Sequence, residues 1–285
     1  MTDSYVEAVD LAPGHKTGLT LANPVMPAAG CFGFGSEYAG LVNVRALGAI
    51  VVGPVTARPR RGAEPPRAVP LPLVSGGVRG VLIHAGLANP GIAAAVRTHA
   101  RAWARSPVPV IVHVAGTSPD EAVACCRRLS SVEAVSGIEL GLPATADFYE
   151  VEAIIHAARD ESRPPLIVRL PLASAGTLCE VAVDAGADAL TVAAPPRGTM
   201  WYSGRFVTGR LYGPFVLPLA LHAVRRVAEL ATVPIIGCGG IHSAEDGAAF
   251  LRAGAKAIQV GGALWHDPSS VAHIARSLAP SARRT

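Results

Sequence analysis

The chain has 285 residues, and its composition is that of a globular protein with a large interior. Half of the residues are hydrophobic, 16% are charged and only 5% are aromatic. This length suits one α/β barrel, which takes about 250 residues, better than two domains. The interior must therefore be built mainly from Ala, Val, Leu and Ile.

The formal net charge of +4 does not predict a nucleic-acid partner, because the arginines are scattered. The densest basic cluster, at 58–61 with Arg67, lies among prolines and has no interleaved aromatic residue. Such a cluster is typical of a solvated loop, since binding of single strands needs aromatic platforms beside the cations. We therefore expect no nucleic-acid partner.

The cysteines indicate a reducing compartment. They number five, with neither a CxxC pair nor metal-ligand spacing, so no disulfide framework, metal site or iron–sulfur centre is predicted. The N-terminus lacks the apolar run of a signal peptide, and no stretch approaches the roughly 18 apolar residues of a membrane span. We expect a soluble, cytoplasmic protein with no membrane partner.

Short apolar runs alternate with amphipathic stretches along the chain, which is typical of βα units around a parallel sheet. The predicted strands are 24–29, 48–53, 109–115, 137–141, 165–170, 188–193, 233–237 and 256–260. The predicted helices are 36–46, 91–105, 119–133, 149–160, 174–186, 217–231, 243–253 and 267–279. The pattern predicts an α/β fold, a single (β/α)8 TIM barrel that occupies residues 1–285 as one domain.

Two connections, 56–90 and 194–218, are too long to be plain turns. The first is rich in Pro, Gly and Arg, and the second holds the aromatic residues Trp201, Tyr202, Phe206 and Tyr212 among others. Both follow predicted barrel strands, at the end where TIM-barrel sites are built. We expect lid or binding loops there.

The stretch 233–264 contains two strands that each end in paired glycines, Gly239-Gly240 and Gly261-Gly262. The last two βα units of a TIM barrel often hold a phosphate, because bare glycine amides approach its oxygens closely and a helix N-terminus follows. The alternative is that these glycines only form tight turns. Two such pairs at barrel spacing favour a phosphate site.

Several segments resemble the FMN-dependent dihydroorotate dehydrogenase family, most closely its class 1 enzymes. They are NPVMPAAGCFGFGSEY at 23–38, GAIVVGPVTARPRRGAEPPR at 48–67, GLANPG at 86–91, GADAL at 186–190, GRLYGP at 209–214, and PIIGCGGI with GAKAIQVGGAL. The resemblance covers nearly the whole chain. It implies a barrel that binds FMN, acts on a small-molecule substrate in pyrimidine synthesis and forms a homodimer. The implied cofactor contacts are Ala29, Gly30, Gly53, Arg169, Val192, Gly213, Gly239, Gly240, Gly261 and Gly262.

The chain departs from the family pattern mainly on the substrate side. Gly53 stands where the family has a lysine after strand two, and Ile83 where it has an asparagine. The family segment Glu-Leu-Asn-Ile-Ser-Cys-Pro-Asn, which carries the base and two asparagines, reads Glu-Leu-Gly-Leu-Pro-Ala at 139–144. Near Ala194 a further asparagine is absent, and Tyr212 replaces a serine. These changes predict a remodelled orotate site.

Candidate catalytic groups are His84, Thr145 and Arg169, each with a structural alternative. Thr145 lies in the strand-four loop with Asp147, where either residue also suits a helix N-cap. His84, like His113 in strand three, can equally be a hydrogen-bonded structural residue. Arg169 replaces a family lysine and, if it points inward, can stabilise a reduced flavin.

Three functions stay open on the sequence alone. The first is an FMN-binding oxidoreductase-like protein with a remodelled orotate site. The second is an active dihydroorotate dehydrogenase, and the third is an inactive barrel that serves as a subunit or scaffold. The chain has no GxGxxG motif after a strand, so we do not expect a built-in NAD site.

Overall fold

The computed structural model describes residues 8–38, 40–72 and 78–278. The strands are β1 Val9–Asp10, β2 Thr20–Leu21, β3 Val25–Pro27, β4 Ile50–Val55, β5 Ala68–Pro72, β6 Val78–Ile83, β7 Val110–Ala115, β8 Gly137–Gly141, β9 Leu166–Pro171, β10 Ala189–Ala194, β11 Arg197–Tyr202, β12 Arg205–Tyr212, β13 Ile235–Cys238 and β14 Ala257–Val260. The helices are α1 Ile92–Trp103, α2 Pro119–Ser130, α3 Phe148–Glu161, α4 Ala175–Asp184, α5 Leu217–Ala228, α6 Ala244–Arg252, α7 Ala263–His266 and α8 Ser270–Leu278.

Eight parallel strands form the barrel in the order β3-β14-β13-β10-β9-β8-β7-β4. The two end strands meet where the Gly48 amide, just before β4, donates to the Val25 carbonyl of β3 at 2.8 Å. Each predicted strand is present within a few residues of its expected bounds, because both faces of every barrel strand are covered and the runs are therefore apolar. The prediction of a (β/α)8 barrel is confirmed.

The interior is apolar at the N-terminal end of the barrel. Met26, Val51, Ile111 and Ile167 belong to one fully buried cluster. A short antiparallel pair, β1 and β2, adds leucines to this cluster, namely Leu11, Leu19 and Leu21. This pair was not predicted from the sequence, since two-residue strands leave no periodic pattern. It closes the end of the barrel opposite the site described below.

The predicted helix at 36–46 is wrong. Two 3-10 turns, Ser36–Tyr38 and Val44–Ala46, take its place, and residue 39 lies outside the described residues. Gly40 has a φ of 83°, which a right-handed helix does not allow. The Glu37 carboxylate also accepts a hydrogen bond from the Phe34 amide at 2.9 Å, which favours a tight turn. The chain stays close to the barrel here without forming a helix.

The two long connections form one small sheet. The connection at 56–90 contains β5 and β6, and the connection at 194–218 contains β11 and β12; residues 73–77 lie outside the described part. The four strands are antiparallel in the order β11-β12-β6-β5, with Arg210 opposite Ile83. Val69, Leu82 and Val207 give this sheet its own buried cluster. The sequence predicts only loops here, because pairing between segments about 130 residues apart has no local pattern.

No helix within residues 8–38, 40–72 and 78–278 is long and apolar enough to span a membrane. The same residues contain no group of three or more His, Cys, Asp or Glu side chains arranged to hold a metal ion.

Substitution of Phe250, a large core residue, tests how the helix layer packs against the barrel. Phe250 on α6 is fully buried, and its ring lies so close to Gly237 of β13 that a Cβ there would come within 2.4 Å. Phe250→Ala should lower the free energy of unfolding by about 3–5 kcal/mol, because it leaves a cavity. Phe206→Ala is the control; this side chain is 73% exposed and should cost at most about 1 kcal/mol. Urea unfolding measures both, and equal losses would contradict the packing described.

Candidate functional site

Polar side chains line the barrel interior at the carboxyl ends of the strands, above the apolar cluster. Strand register brings them together, since His113 on β7 lies opposite Glu139 on β8, and Arg169 on β9 lies opposite Thr191 on β10. Gln259 on β14 lies opposite Cys238 on β13. Each polar residue interrupts an apolar strand, and such an interruption is the sequence signal of an inward-facing polar group. Arg169 points inward, as the family analogy favours.

The carboxylate of Glu139 is the centre of this polar layer and is fully buried. Its Oε1 accepts hydrogen bonds from Thr191 Oγ1 at 2.8 Å and from Gln259 Nε2 at 2.6 Å. Its Oε2 lies 2.7 Å from His113 Nδ1 and 3.3 Å from Arg169 Nη1. The carboxylate therefore has four polar partners, as a buried charge requires.

The charge on Glu139 is maintained by its neighbours. Burial by itself raises the pKa of this carboxyl, but the Arg169 guanidinium and the hydrogen bonds from His113 and Gln259 outweigh it and hold the pKa well below its usual range. Arg169 also donates to Gln259 Oε1 at 3.3 Å and to Cys238 Sγ at 3.2 Å. The layer thus carries a negative and a positive charge inside the barrel.

A cleft opens beside Arg169, and most of the expected cofactor residues lie on its wall. These are Ala29, Arg169, Gly213, Gly239, Gly240, Gly261 and Gly262. The structure therefore brings together both glycine pairs, the strand-one turn and the strand-five cation. Their placement depends on the barrel, which gathers the carboxyl ends of its strands at one mouth.

The glycine amides in this cleft are free. Among the hydrogen bonds of the described residues, none uses the backbone N–H of Gly213, Gly239, Gly240, Gly261 or Gly262 as a donor. Gly213 is buried, so its amide has lost water without gaining a protein acceptor. Gly239 and Gly240 have φ values of 137° and 72°, which favour glycine. A set of free amides on one wall is suited to an anion such as a phosphate.

The turn that leads from the first glycine pair into α6 has several of its amides already bonded. Asp246 Oδ2 accepts hydrogen bonds from the amides of His242 and Ser243, both at 2.9 Å, and Ser243 Oγ caps the Asp246 amide. The amides of His242 and Ser243, just before α6, and of Asp246 in its first turn are therefore already used by the protein.

The other predicted residues lie apart from the cleft wall. Val192 is buried, and Gly30 and Gly53 are joined by a hydrogen bond between the Gly30 amide and the Gly53 carbonyl at 3.2 Å. His84 lies in the small sheet, where its Nδ1 is 2.7 Å from the Thr208 carbonyl. Thr145 is exposed in the strand-four loop.

Asp147, close to Thr145, caps α3. Its carboxylate accepts from the Glu150 amide at 2.9 Å, and Glu150 in turn accepts from the Asp147 amide at 3.1 Å. The capping interpretation is therefore the one that the structure supports for Asp147.

Several residues of the cleft were not among the predicted site residues. Tyr212 lines it, and its ring packs edge-to-face on Trp265 with centroids 4.7 Å apart. Burial raises the pKa of this phenol, and it raises the pKa of the Cys31 thiol to about 12, so neither group is ionised near neutral pH. Cys31 is thus a buried, neutral packing residue. His242 also lines the cleft.

Comparison with known proteins agrees with this architecture. The sequence profile of dihydroorotate dehydrogenase matches residues 14–281. The chain belongs to the dihydroorotate dehydrogenase family. It is thus a member of a family of oxidoreductases that act on CH–CH groups.

Curated relatives in this family are similar to the chain over most of both lengths. The dihydroorotate dehydrogenase B (NAD(+)) catalytic subunit of Desulforudis audaxviator is 36% identical over 279 residues, which cover 92% of this chain and 89% of the relative. The proteins of the same name from Pelobacter propionicus and Bacillus pumilus are 35% and 34% identical, and cover 93% and 88% of this chain and 91% and 85% of their own lengths.

The pairing of Arg169 with Glu139 can be tested by removing one partner. Arg169→Met should lower the free energy of unfolding at pH 7 by about 3–5 kcal/mol, because it leaves a buried carboxylate without its cation. The double variant with Glu139→Gln should recover part of this loss. Urea unfolding of wild type and both variants gives the comparison, and a double variant no better than the single one would refute the pairing.

The same variants have a defined pH dependence. In wild type the pKa of Glu139 is depressed in the folded state. The ionised carboxylate therefore stabilises the fold above its ordinary pKa of 4.5, and this stabilisation is lost as the pH falls toward the folded-state pKa. Without Arg169 that pKa rises, and protonation relieves the buried charge. The deficit of Arg169→Met should therefore shrink between pH 7 and pH 5.

Proposed function

We propose that this protein binds FMN and is a flavin-dependent oxidoreductase whose substrate site no longer matches dihydroorotate. The observation that carries the proposal is the set of free glycine amides beside a buried cation in one cleft. Gly261 adds to it, because a Cβ there would meet Ala28 and Cys31 only at an ordinary 3.5 Å, so packing alone does not demand glycine. A ligand that approaches the backbone closely gives a reason for it.

The residues present fit FMN. The amides of Gly213, Gly239, Gly240, Gly261 and Gly262 would hold its phosphate, and Arg169 would supply positive charge at its other end. When bound, FMN accepts two electrons as a hydride. The guanidinium of Arg169 already has Glu139 as its counter-ion, so this pair leaves no unpaired charge in the polar layer beneath the cleft.

Three backbone or side-chain features support a changed substrate. Gly53, where the family has a lysine, has a φ of 106°, and a Cβ there would lie 2.9 Å from the His113 carbonyl oxygen. The position accepts no lysine without a shift of the backbone. A Cβ at Gly141, where the family has an asparagine, would lie 2.7 Å from the His113 ring. Ala194 offers no amide for reading a pyrimidine ring.

Dihydroorotate oxidation in pyrimidine synthesis is the second candidate, favoured by the names of relatives about 35% identical over most of the chain. An inactive barrel that serves as a subunit is the third. The loss of a general base costs about 10²–10⁴ in rate, which argues against fast turnover of dihydroorotate by the family mechanism.

We infer that the chain works in an assembly with a second kind of subunit. The relatives are named catalytic subunits, which supports a heteromeric complex over the plain homodimer that the resemblance implied. Co-purification from the native host, followed by mass spectrometry and measurement of the mass of the complex, tests this inference. A single chain type in every complex would refute it.

The visible absorption spectrum tests the proposed function directly. After incubation with excess FMN and removal of the unbound fraction, the protein should retain flavin bands that dithionite bleaches and dihydroorotate does not. Rapid bleaching by dihydroorotate would instead show the activity for which the family is named. A colourless protein would leave the inactive barrel as the explanation.

A glycine in the cleft tests the phosphate site. Gly261→Ala should keep the fold but place a methyl group against Ala28 and Cys31 in the cleft, and it should weaken FMN binding about tenfold, equivalent to about 1.4 kcal/mol. Gly14→Ala is the matched control, since a Cβ there meets nothing within 4 Å. Fluorescence titration with FMN measures both, and equal affinities would argue against a ligand at Gly261.

A further inference from the structure

The imidazole of His113 is held at one nitrogen only. Its Nδ1 lies 2.7 Å from Glu139 Oε2, and the side chain is 13% exposed. Because Glu139 is ionised and can only accept, Nδ1 carries the proton and its N–H donates a hydrogen bond to the carboxylate. Among the hydrogen bonds of the described residues, none involves Nε2. In the neutral ring this second nitrogen therefore keeps its lone pair.

The free edge of the ring occupies space above Gly141. A Cβ at Gly141 would lie 2.7 Å from His113 Cε1 and 2.9 Å from Nε2. Gly141 ends β8 at the barrel mouth, in the segment where the family carries its base and asparagines. The His113 ring thus occupies the space that a side chain at position 141 would need.

Charged and titratable groups face His113 from the neighbouring strands. Glu139 on β8 is negative, and the positive Arg169 on β9 lies beyond it, 3.3 Å from the same oxygen. On the other side β4 presents the Gly53 backbone, and Cys31 and Cys238, near Arg169, are neutral because burial raises the pKa of each thiol. An imidazolium here would be paired with a carboxylate that is already ionised.

We propose that His113, oriented by Glu139, is the proton-transfer group of this site. It would act from strand β7 in place of the thiol or hydroxyl base that the family carries after β8. This inference rests on the proposed function, since it concerns proton transfer during flavin-dependent oxidation. Histidine–carboxylate pairs are suited to it, because the carboxylate fixes the tautomer and stabilises the imidazolium.

The donor would have adjacent C–H bonds next to a carbonyl group. One C–H bond would break, and its proton would go to His113 Nε2. A bound oxidised flavin would take the hydride of the neighbouring C–H bond and with it two electrons, so that the two carbons become doubly bonded. The imidazolium of His113 would then return its proton to water.

The tautomer of His113 can be measured without flavin. In protein labelled with ¹⁵N-histidine, long-range ¹H–¹⁵N spectra at high pH should show His113 protonated at Nδ1 and bare at Nε2. His113→Gln assigns the signals, and Glu139→Gln should remove the preference. A ring protonated at Nε2 would overturn the proposal for His113 whether or not the protein binds FMN. Failure of this proposal is therefore distinguishable from failure of the proposed FMN binding.

Proton transfer is measured in the reverse direction. Protein loaded with FMN is reduced with stoichiometric dithionite and mixed anaerobically with orotate or with 2-cyclohexen-1-one, and the return of flavin absorbance is followed. The wild-type rate with at least one probe should fall as the pH rises and the imidazolium loses its proton. His113→Gln should lower this rate about 10²–10⁴-fold and abolish the pH dependence, with FMN retention unchanged.

Two further variants provide a second perturbation of His113 and a control. Gly141→Ala displaces the ring while retaining both polar groups, so it should slow the same reaction if His113→Gln proves unstable. His222→Gln, an exposed position on α5, should leave the rate within twofold. A wild-type rate and pH profile in His113→Gln would overturn the proposal. Failure of both probes with a protein that retains FMN would overturn it as well.

Discussion

The carboxylate of Glu139 lies fully inside the barrel, where an unpaired charge would cost several kcal/mol. It is satisfied by Thr191, Gln259, His113 and Arg169, which come from four different strands. Because each partner has a fixed register, this single group constrains how the strands align at the carboxyl end of the barrel. The cation and the imidazole that face the mouth both take their orientation from it.

The two ends of the barrel interior therefore differ in chemistry. At the N-terminal end an apolar cluster, closed by the β1–β2 pair, supplies stability in the usual way through burial. At the carboxyl end the polar layer replaces apolar packing and leaves the cleft with charge and hydrogen-bonding groups in fixed places. Such a layer is less favourable for stability than leucine or valine, and its value is the orientation of reactive groups.

The cleft differs chemically from the polar layer beneath it. Its wall carries free glycine amides that have the character of an anion site. In the polar layer the His113 ring lies over Gly141, where a Cβ would come within 2.7 Å of it. The four-stranded sheet contributes Leu211 and Tyr212 to the wall, so the two long connections help to shape the site. Because different βα loops build the parts of a barrel mouth, one part of such a site can change while another is kept.

The sequence by itself determined the eight barrel strands, most of the helices and the location of the glycine pairs, because buried strands and helix faces leave local periodic patterns. The tertiary structure decided the rest, because the relevant contacts join residues far apart in the chain. Only the folded barrel shows that Gly239 and Gly261 share one cleft with Arg169, that β6 pairs with β12, and that His113 bonds to Glu139. Gly30, Gly53 and Val192 were expected at the cofactor and lie off the cleft wall, since the direction of each group at a strand end depends on neighbouring strands. The helix predicted at 36–46 failed for a local reason, the positive φ of Gly40, which periodicity does not reveal.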